Sequence, residues 1–240
     1  DTPQKEAYNR MTLDGMKWSK SKVDDIRASM MEDEEFADYV FPILRYHSRW
    51  QELTSDDFKY LFTKRPVSQS GYYMRIDVKP AQTFPKPKKL ANYEFGENSW
   101  KYLEKMRKLC EENGIQLILV KAPSLYPAWY DEWDEQIKEY AKTYELPYYN
   151  FLELTDEIGI DFTRDTYDGG LHLNLSGAEK MGAYFGKILR DEFQIPDRRA
   201  DETIASVWAE KCAAYYDMQK RQQEELDTYG YLKMFNSDKE

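Results

Sequence analysis

The chain has 240 residues with 44 Asp plus Glu against 34 Lys plus Arg, a net charge of -10 and an aromatic share of 15%. So many aromatics within a hydrophobic share of 41% argue against a disordered chain, although charged residues reach 32%. The acidic balance argues against nucleic acid as a partner, because phosphate tracking needs clustered positive charge, and no apolar run reaches the roughly 18 residues of a membrane span.

In chain order, Ser19–Met31 carries Val23, Ile26 and Met30 at helical spacing, and Glu34–Trp50 places Phe36, Tyr39, Val40, Ile43 and Leu44 on one helical face. Thr54-Ser55-Asp56-Asp57 reads as the N-cap of a short helix carrying Phe58, Leu61 and Phe62. From Lys64 to Lys89, four prolines and the Gly71-Tyr72-Tyr73 cluster predict an irregular excursion with room for a hairpin. Asn98 or Ser99 is then expected to cap a helix with Trp100, Leu103, Met106 and Leu109, closed by Asn113-Gly114. Ile115–Val120 follows as a nearly continuous apolar run, the pattern of a buried parallel strand. A helix over about Asp131–Tyr144 leads to a second short strand at Pro147–Phe151, expected to pair in parallel with the first. A loop and an amphipathic helix over Ser176–Phe193 complete an α/β doubly wound pattern. A long helix over Asp201–Asp227 carries Ile204, Val207, Trp208, Cys212 and Tyr215 on one face, and its end, MQKRQQEELD, reads as solvated. Three segments follow: 1–95 helical and irregular within the same domain, an α/β core over 96–199, and a helix and tail over 200–240.

Cys110 and Cys212 lie in expected helices, outside any CxxC or histidine cluster, and read as buried small hydrophobes. The acidic stretches Glu32–Glu35 and Asp131–Glu135 read as metal-free solvated faces and helix N-terminal charges. No GxGxxG, P-loop or HExxH is present, so no cofactor or metal is expected.

Only two histidines, His47 and His172, offer general acid–base chemistry near neutral pH. His47 adjoins Ser48 at the end of a helical stretch, where adjacent side chains do not face each other, so packing under Trp50 is the better reading. His172 lies in Asp165-Thr-Tyr-Asp168-Gly-Gly-Leu-His172-Leu-Asn174, between the last strand and the last helix of the α/β unit. Reacting groups collect at the carboxyl ends of strands in such sheets. Gly169 and Gly170 can turn the backbone sharply and bring a carboxylate beside the imidazole. Asp168 is the first choice for that carboxylate and Asp165 the alternative; a structural loop histidine is the competing reading.

The segments ILVKAPSLYPAWY, PYYNFLEL, DGGLHLNLSGAEK and IPDRRADE, with YVFPILRYHSRWQELTSDDF upstream, resemble an extracytoplasmic Firmicutes branch of the SGNH/GDSL-type hydrolases, in particular its C-terminal part. The similarity covers most of the chain. Its most specific element is the Asp-x-x-His block with its trailing Asn174 and Gly177; relatives read Asp-Gly-Gly-His, and Leu171 is one residue more. The resemblance implies a partial flavodoxin-like three-layer fold with a short parallel sheet and extra terminal helices. It also implies His172 as general base, Asp168 as orienting carboxylate, and Asn174, Gly169 and Gly170 in supporting roles. The family's nucleophilic serine lies after the first strand, and nothing between Asp1 and Met31 matches that block. The expectation is therefore a processed or trimmed chain, inactive alone, with the nucleophile upstream. Ser124, which follows the first strand, is the competing nucleophile.

The implied function is that of a serine esterase or acyltransferase acting on an acylated cell-envelope polysaccharide or a small ester. A membrane-bound O-acyltransferase is the implied partner. The full-length protein would be extracytoplasmic, anchored or secreted. The alternative is a non-catalytic envelope-polysaccharide binding or scaffold module.

Overall fold

The computed structural model describes residues 10–32, 34–41, 71–82 and 86–235. The chain forms two compact units, Asp1–Val67 and Ser68–Glu240. In the first, residues 10–15 are helical, followed by α1 (Lys20–Ser29) and α2 (Phe36–Val40). The Ser19 hydroxyl accepts the Lys22 N–H at 3.2 Å and starts α1. Leu13, Ile26 and Tyr39 form its small core, with Met16, Met30 and Phe36 packed around them. Glu34, read from sequence as solvated, is largely covered: it pairs with Arg10 and accepts the Tyr39 hydroxyl at 2.6 Å and the Met31 N–H at 3.0 Å. The helix expected over Glu34–Trp50 ends at Val40, since Phe41 leaves helical conformation. Residues 42–50, with His47 and Ser48, and the expected helix at Thr54–Phe62 lie outside the described residues.

The second unit runs α3 (Glu97–Glu112), β1 (Leu119–Lys121), α4 (Asp131–Thr143), β2 (Tyr148–Asn150), α5 (Thr155–Ile158), α6 (Leu175–Asp191) and α7 (Glu202–Tyr229). β1 and β2 pair in parallel, Leu119 opposite Tyr148 and Lys121 opposite Asn150, as a two-stranded sheet joined through α4. This is an α/β arrangement dominated by helix. α3 starts after Gly96 and not at Asn98 or Ser99. It ends as expected at Asn113-Gly114: Gly114 takes φ +63, its N–H reaches Glu111 O at 3.2 Å, and the Ile115 N–H reaches Cys110 O at 2.8 Å. α4 closes the same way without glycine, with Glu145 at φ 53 and the Leu146 N–H on Ala141 O at 2.8 Å.

Three expectations about burial are corrected. The stripe Trp100–Leu103–Met106–Leu109 on α3 leaves Met106 and Leu109 more than half exposed; the covered face runs through Leu103, Glu104, Arg107 and Cys110. Ile115–Val120 is a strand only from Leu119, and Val120 is half exposed, because two strands cannot enclose each other as a wide parallel sheet would. On α7 the apolar face is the exposed one, with Cys212 open to solvent, while Gln222, in the stretch read as solvated, is only 2% exposed. The reason is a backbone strap. Residues 71–82 run extended under α7, and the Gln222 amide donates to Met74 O at 3.0 Å and accepts the Ile76 N–H at 3.1 Å.

Leu125, Phe151, Ile158, Ile160, Phe162 and Ile188 make the core beneath the sheet and α6, with Phe185 edge-on to Phe151 at 5.4 Å between centroids. Asp134, part of an acidic stretch read as exposed, is buried and clamps α4 to β2. It accepts the Tyr148 hydroxyl at 2.6 Å, the Asn150 amide at 2.8 Å and the Trp129 indole at 3.1 Å, and pairs with Lys138 at 2.6 Å. Burial works against its charge, and these donors outweigh it and hold its pKa below the usual carboxylate range. No described helix is long and apolar enough to cross a membrane.

Candidate active site

The loop between α5 and α6 is built by backbone contacts before any side chain acts. Thr166 and Leu173 form an antiparallel bridge that pinches its two ends together. The strap lies along its outer edge: the Lys79 N–H donates to Thr166 O at 2.9 Å, and Lys79 O accepts the Gly169 N–H at 3.0 Å. From the other side, the Leu125 N–H beyond β1 donates to Gly170 O at 2.7 Å. Gly169 and Gly170 take φ +86 and +109, where residues with a Cβ are strained, and a Cβ on Gly170 would lie 2.7 Å from Leu125 Cδ1. Thr166, fully buried, accepts the Gly170 N–H on its hydroxyl at 2.8 Å. The extra residue, Leu171, is absorbed in this turn, with its N–H on Asp168 Oδ1 at 3.1 Å and its side chain partly exposed.

The result places Asp168 on His172. Asp168 Oδ1 accepts the His172 backbone N–H at 2.8 Å, and Asp168 Oδ2 meets His172 Nδ1 at 2.5 Å. The carboxylate is three-quarters covered, whereas the histidine side chain is 59% exposed. Partial burial pulls the Asp168 pKa up; the hydrogen bonds from the His172 N–H, its ring and the Leu171 N–H outweigh it and hold the pKa below the ordinary range. An ionised carboxylate only accepts, so the proton between the two belongs to Nδ1, and Nε2 is the nitrogen with a lone pair in the neutral ring. Among the described residues none hydrogen-bonds Nε2. Such a pair can take a proton from a hydroxyl and return it to a leaving group.

Asp165, the alternative partner, is elsewhere. It is buried, accepts the Asp161 N–H at 2.8 Å and pairs with Lys180 of α6 at 2.6 Å, so its role is to hold the loop on that helix. Asn174 is also buried and architectural: its Oδ1 caps α6 on the Gly177 N–H at 3.2 Å, and its amide donates to Arg164 O at 2.8 Å and Asp77 O at 3.2 Å. Ser124 donates its hydroxyl to Tyr126 O at 2.7 Å, and among the described residues no serine hydroxyl bonds the His172 ring.

Two residues of the site went unnamed in the sequence reading. The Tyr167 ring stacks on His172 at 5.7 Å between centroids and 6° between planes, and the Arg75 guanidinium lies over that same Tyr167 ring at 4.8 Å. Arg75 is itself held by Asp77 at 2.6 Å. Tyr167 adjoins Asp168 in the motif and could have been marked from that position; Arg75 is 97 residues from His172 and carries no local signal. Among the described residues no group of three His, Cys, Asp or Glu is placed to hold a metal ion. The chain matches no family model, no curated protein and no solved structure.

Proposed function

We propose that the Asp168–His172 pair is the acid–base half of a serine esterase or acyltransferase site of the SGNH/GDSL kind, set in a partial flavodoxin-like fold. The observation that carries this reading is the 2.5 Å contact between Asp168 Oδ2 and Nδ1 of a ring that remains 59% exposed. A histidine kept for packing would be buried; this one is oriented and left accessible. In the reaction, His172 Nε2 takes the proton of the nucleophilic hydroxyl as it attacks the ester carbonyl, and Nδ1–H stays on Asp168, which stabilises the imidazolium. The proton then passes to the departing alcohol oxygen. Tyr167 and Arg75 fix the plane in which the imidazole sits. The nucleophile is a serine outside the segments described, and the substrate is an acyl or acetyl ester on a cell-envelope polysaccharide, met outside the cytoplasm and beside a membrane-bound O-acyltransferase.

The test is turnover of p-nitrophenyl acetate by this chain and by a longer polypeptide that carries an upstream Gly-x-Ser block. Activity in the longer form that His172→Ala lowers by about 10³-fold, with Asp168→Asn nearly as damaging, is the expected result. Equal turnover in His172→Ala and the parent would end the esterase reading and leave a polysaccharide-binding module in its place.

A further inference from the structure

The exposed apolar face of α7 is not uniform. Between the strap, α6 and α7 lies a cleft of about 410 Å³ walled by Tyr72, Trp208, Tyr215 and Tyr216, with Glu179 and Lys211 at its polar end. That volume is in the range of small-molecule sites, whose walls are mainly apolar and aromatic with a few placed polar groups. Tyr72 stacks on Tyr215 at 6.3 Å, Tyr216 stands at 87° to Tyr215, and the Tyr215 hydroxyl donates to Glu179 at 2.9 Å, so the walls are braced against one another. Trp208 and Tyr216 nevertheless remain 53% and 64% exposed, which is a large unburied aromatic area. A second cleft of about 350 Å³ shares Trp208 and Cys212 with the first and is bounded by Arg198 and Arg199.

The charges decide what fits. The first cleft presents one carboxylate and one ammonium, and Lys211 lies over the Trp208 ring at 5.1 Å. In the second, Arg198 pairs with Asp201 and Arg199 with Asp197. Neither an anion nor a cation therefore meets a net opposite charge. A purely apolar ligand would strip water from the exposed Glu179 carboxylate without replacing its hydrogen bonds. A neutral ring with an apolar C–H face and a hydroxylated edge satisfies every wall: the face lies on an aromatic ring, while its hydroxyls donate to the carboxylate and accept from the ammonium. The geometry points to a pyranose-binding groove centred on Trp208, holding two successive sugar rings of a neutral glycan, one in each cleft.

This assignment rests on the polysaccharide reading above and deepens it. Tyr72 is three residues from Arg75, about 10 Å along an extended strap, and Arg75 covers Tyr167, on which His172 stacks. A glycan seated on α7 is thus held by the same strap that borders the acid–base pair. The test is binding of cellotriose and chitotriose to the full chain, followed by saturation-transfer NMR and by the indole N–H resonance of Trp208, assigned from its loss in Trp208→Ala. The expected result is a Kd of about 1 mM or tighter, weakened at least about tenfold by Trp208→Ala and several-fold by Glu179→Gln. Trp208 is half exposed, so its removal leaves the remaining spectrum in place. No saturation transfer from either trisaccharide, or equal binding by Trp208→Ala, overturns the proposal, as does preference for tetramethylammonium over both sugars. The assay has no chemical step, so its failure leaves the esterase reading untouched, and failure of the ester assay leaves the groove standing.

Discussion

The two glycines between Asp168 and His172 do different work. Gly169 needs only its positive φ: a Cβ there has nothing closer than Lys79's neighbour Pro80 O at 4.0 Å. Gly170 needs both its φ and its missing Cβ, because Leu125 occupies the space. Gly169→Ala should therefore cost about 1 kcal/mol, the penalty of a left-handed alanine, and Gly170→Ala about 2 to 4 kcal/mol as backbone strain and overpacking add. Urea unfolding of the two variants, read by aromatic circular dichroism, checks the order. Equal losses would show that Leu125 yields freely. At this scale the Asp–Gly–Gly–x–His spacing was a readable cue, since it needs only a sharp turn and two chemically paired side chains. The Tyr167 stack lies within the same motif and was open to the same reading; the Arg75 contact was not, because it depends on a strap that arrives from elsewhere in the chain.

Elements were legible where the signal is local and obscure where it is tertiary. The Asn113-Gly114 stop and the parallel pairing of two short strands follow from turn chemistry and from the helix between the strands. Which face each helix buries did not follow, and α7 is the plainest case. Apolar periodicity pointed to Val207 and Trp208, yet the helix is anchored through Gln222, whose amide satisfies one N–H and one C=O of the strap. A polar side chain that completes the hydrogen bonds of a neighbouring backbone has no hydrophobic signature to detect. The same holds for Asp134, which looks solvated in sequence and is buried among four partners. Gln222→Leu keeps the volume roughly constant and leaves Met74 O and Ile76 N without their amide partners. It should destabilise the second unit by about 2 to 3 kcal/mol and speed hydrogen exchange at the Ile76 amide. An unchanged urea midpoint would mean that the strap is held without α7.

For the molecule as a whole, the net charge of -10 is offset locally at the places that hold the second unit together. Asp134, Asp165 and Asp168 are each covered and each hydrogen-bonded, by Lys138 and β2, by Lys180 and the Asp161 N–H, and by the His172 loop. For all three, burial acts to raise the pKa and the donors act more strongly to lower it, leaving it below the ordinary aspartate value of 3.8. Their linkage has one sign. Each binds a proton more readily when unfolded than when folded, so its stabilisation is complete above about pH 5 and fades as pH falls through 3.8 and then through the lower folded value. Unfolding stability should thus be flat near neutrality and drop steeply in acid. Asp165→Asn isolates one contribution, because it removes the Lys180 pair and keeps the size of the side chain. At neutral pH it should cost about 2 kcal/mol, since Lys180 can turn to water while a buried amide keeps fewer partners. Toward pH 3 the gap between Asp165→Asn and the parent should narrow, because the unfolded parent then takes up a proton that the folded carboxylate resists, whereas the asparagine variant does not titrate there. Urea midpoints measured across that range check the sign: a gap that widens in acid would mean that Asp165 is held neutral in the folded chain and that its contact with Lys180 contributes no charge pairing.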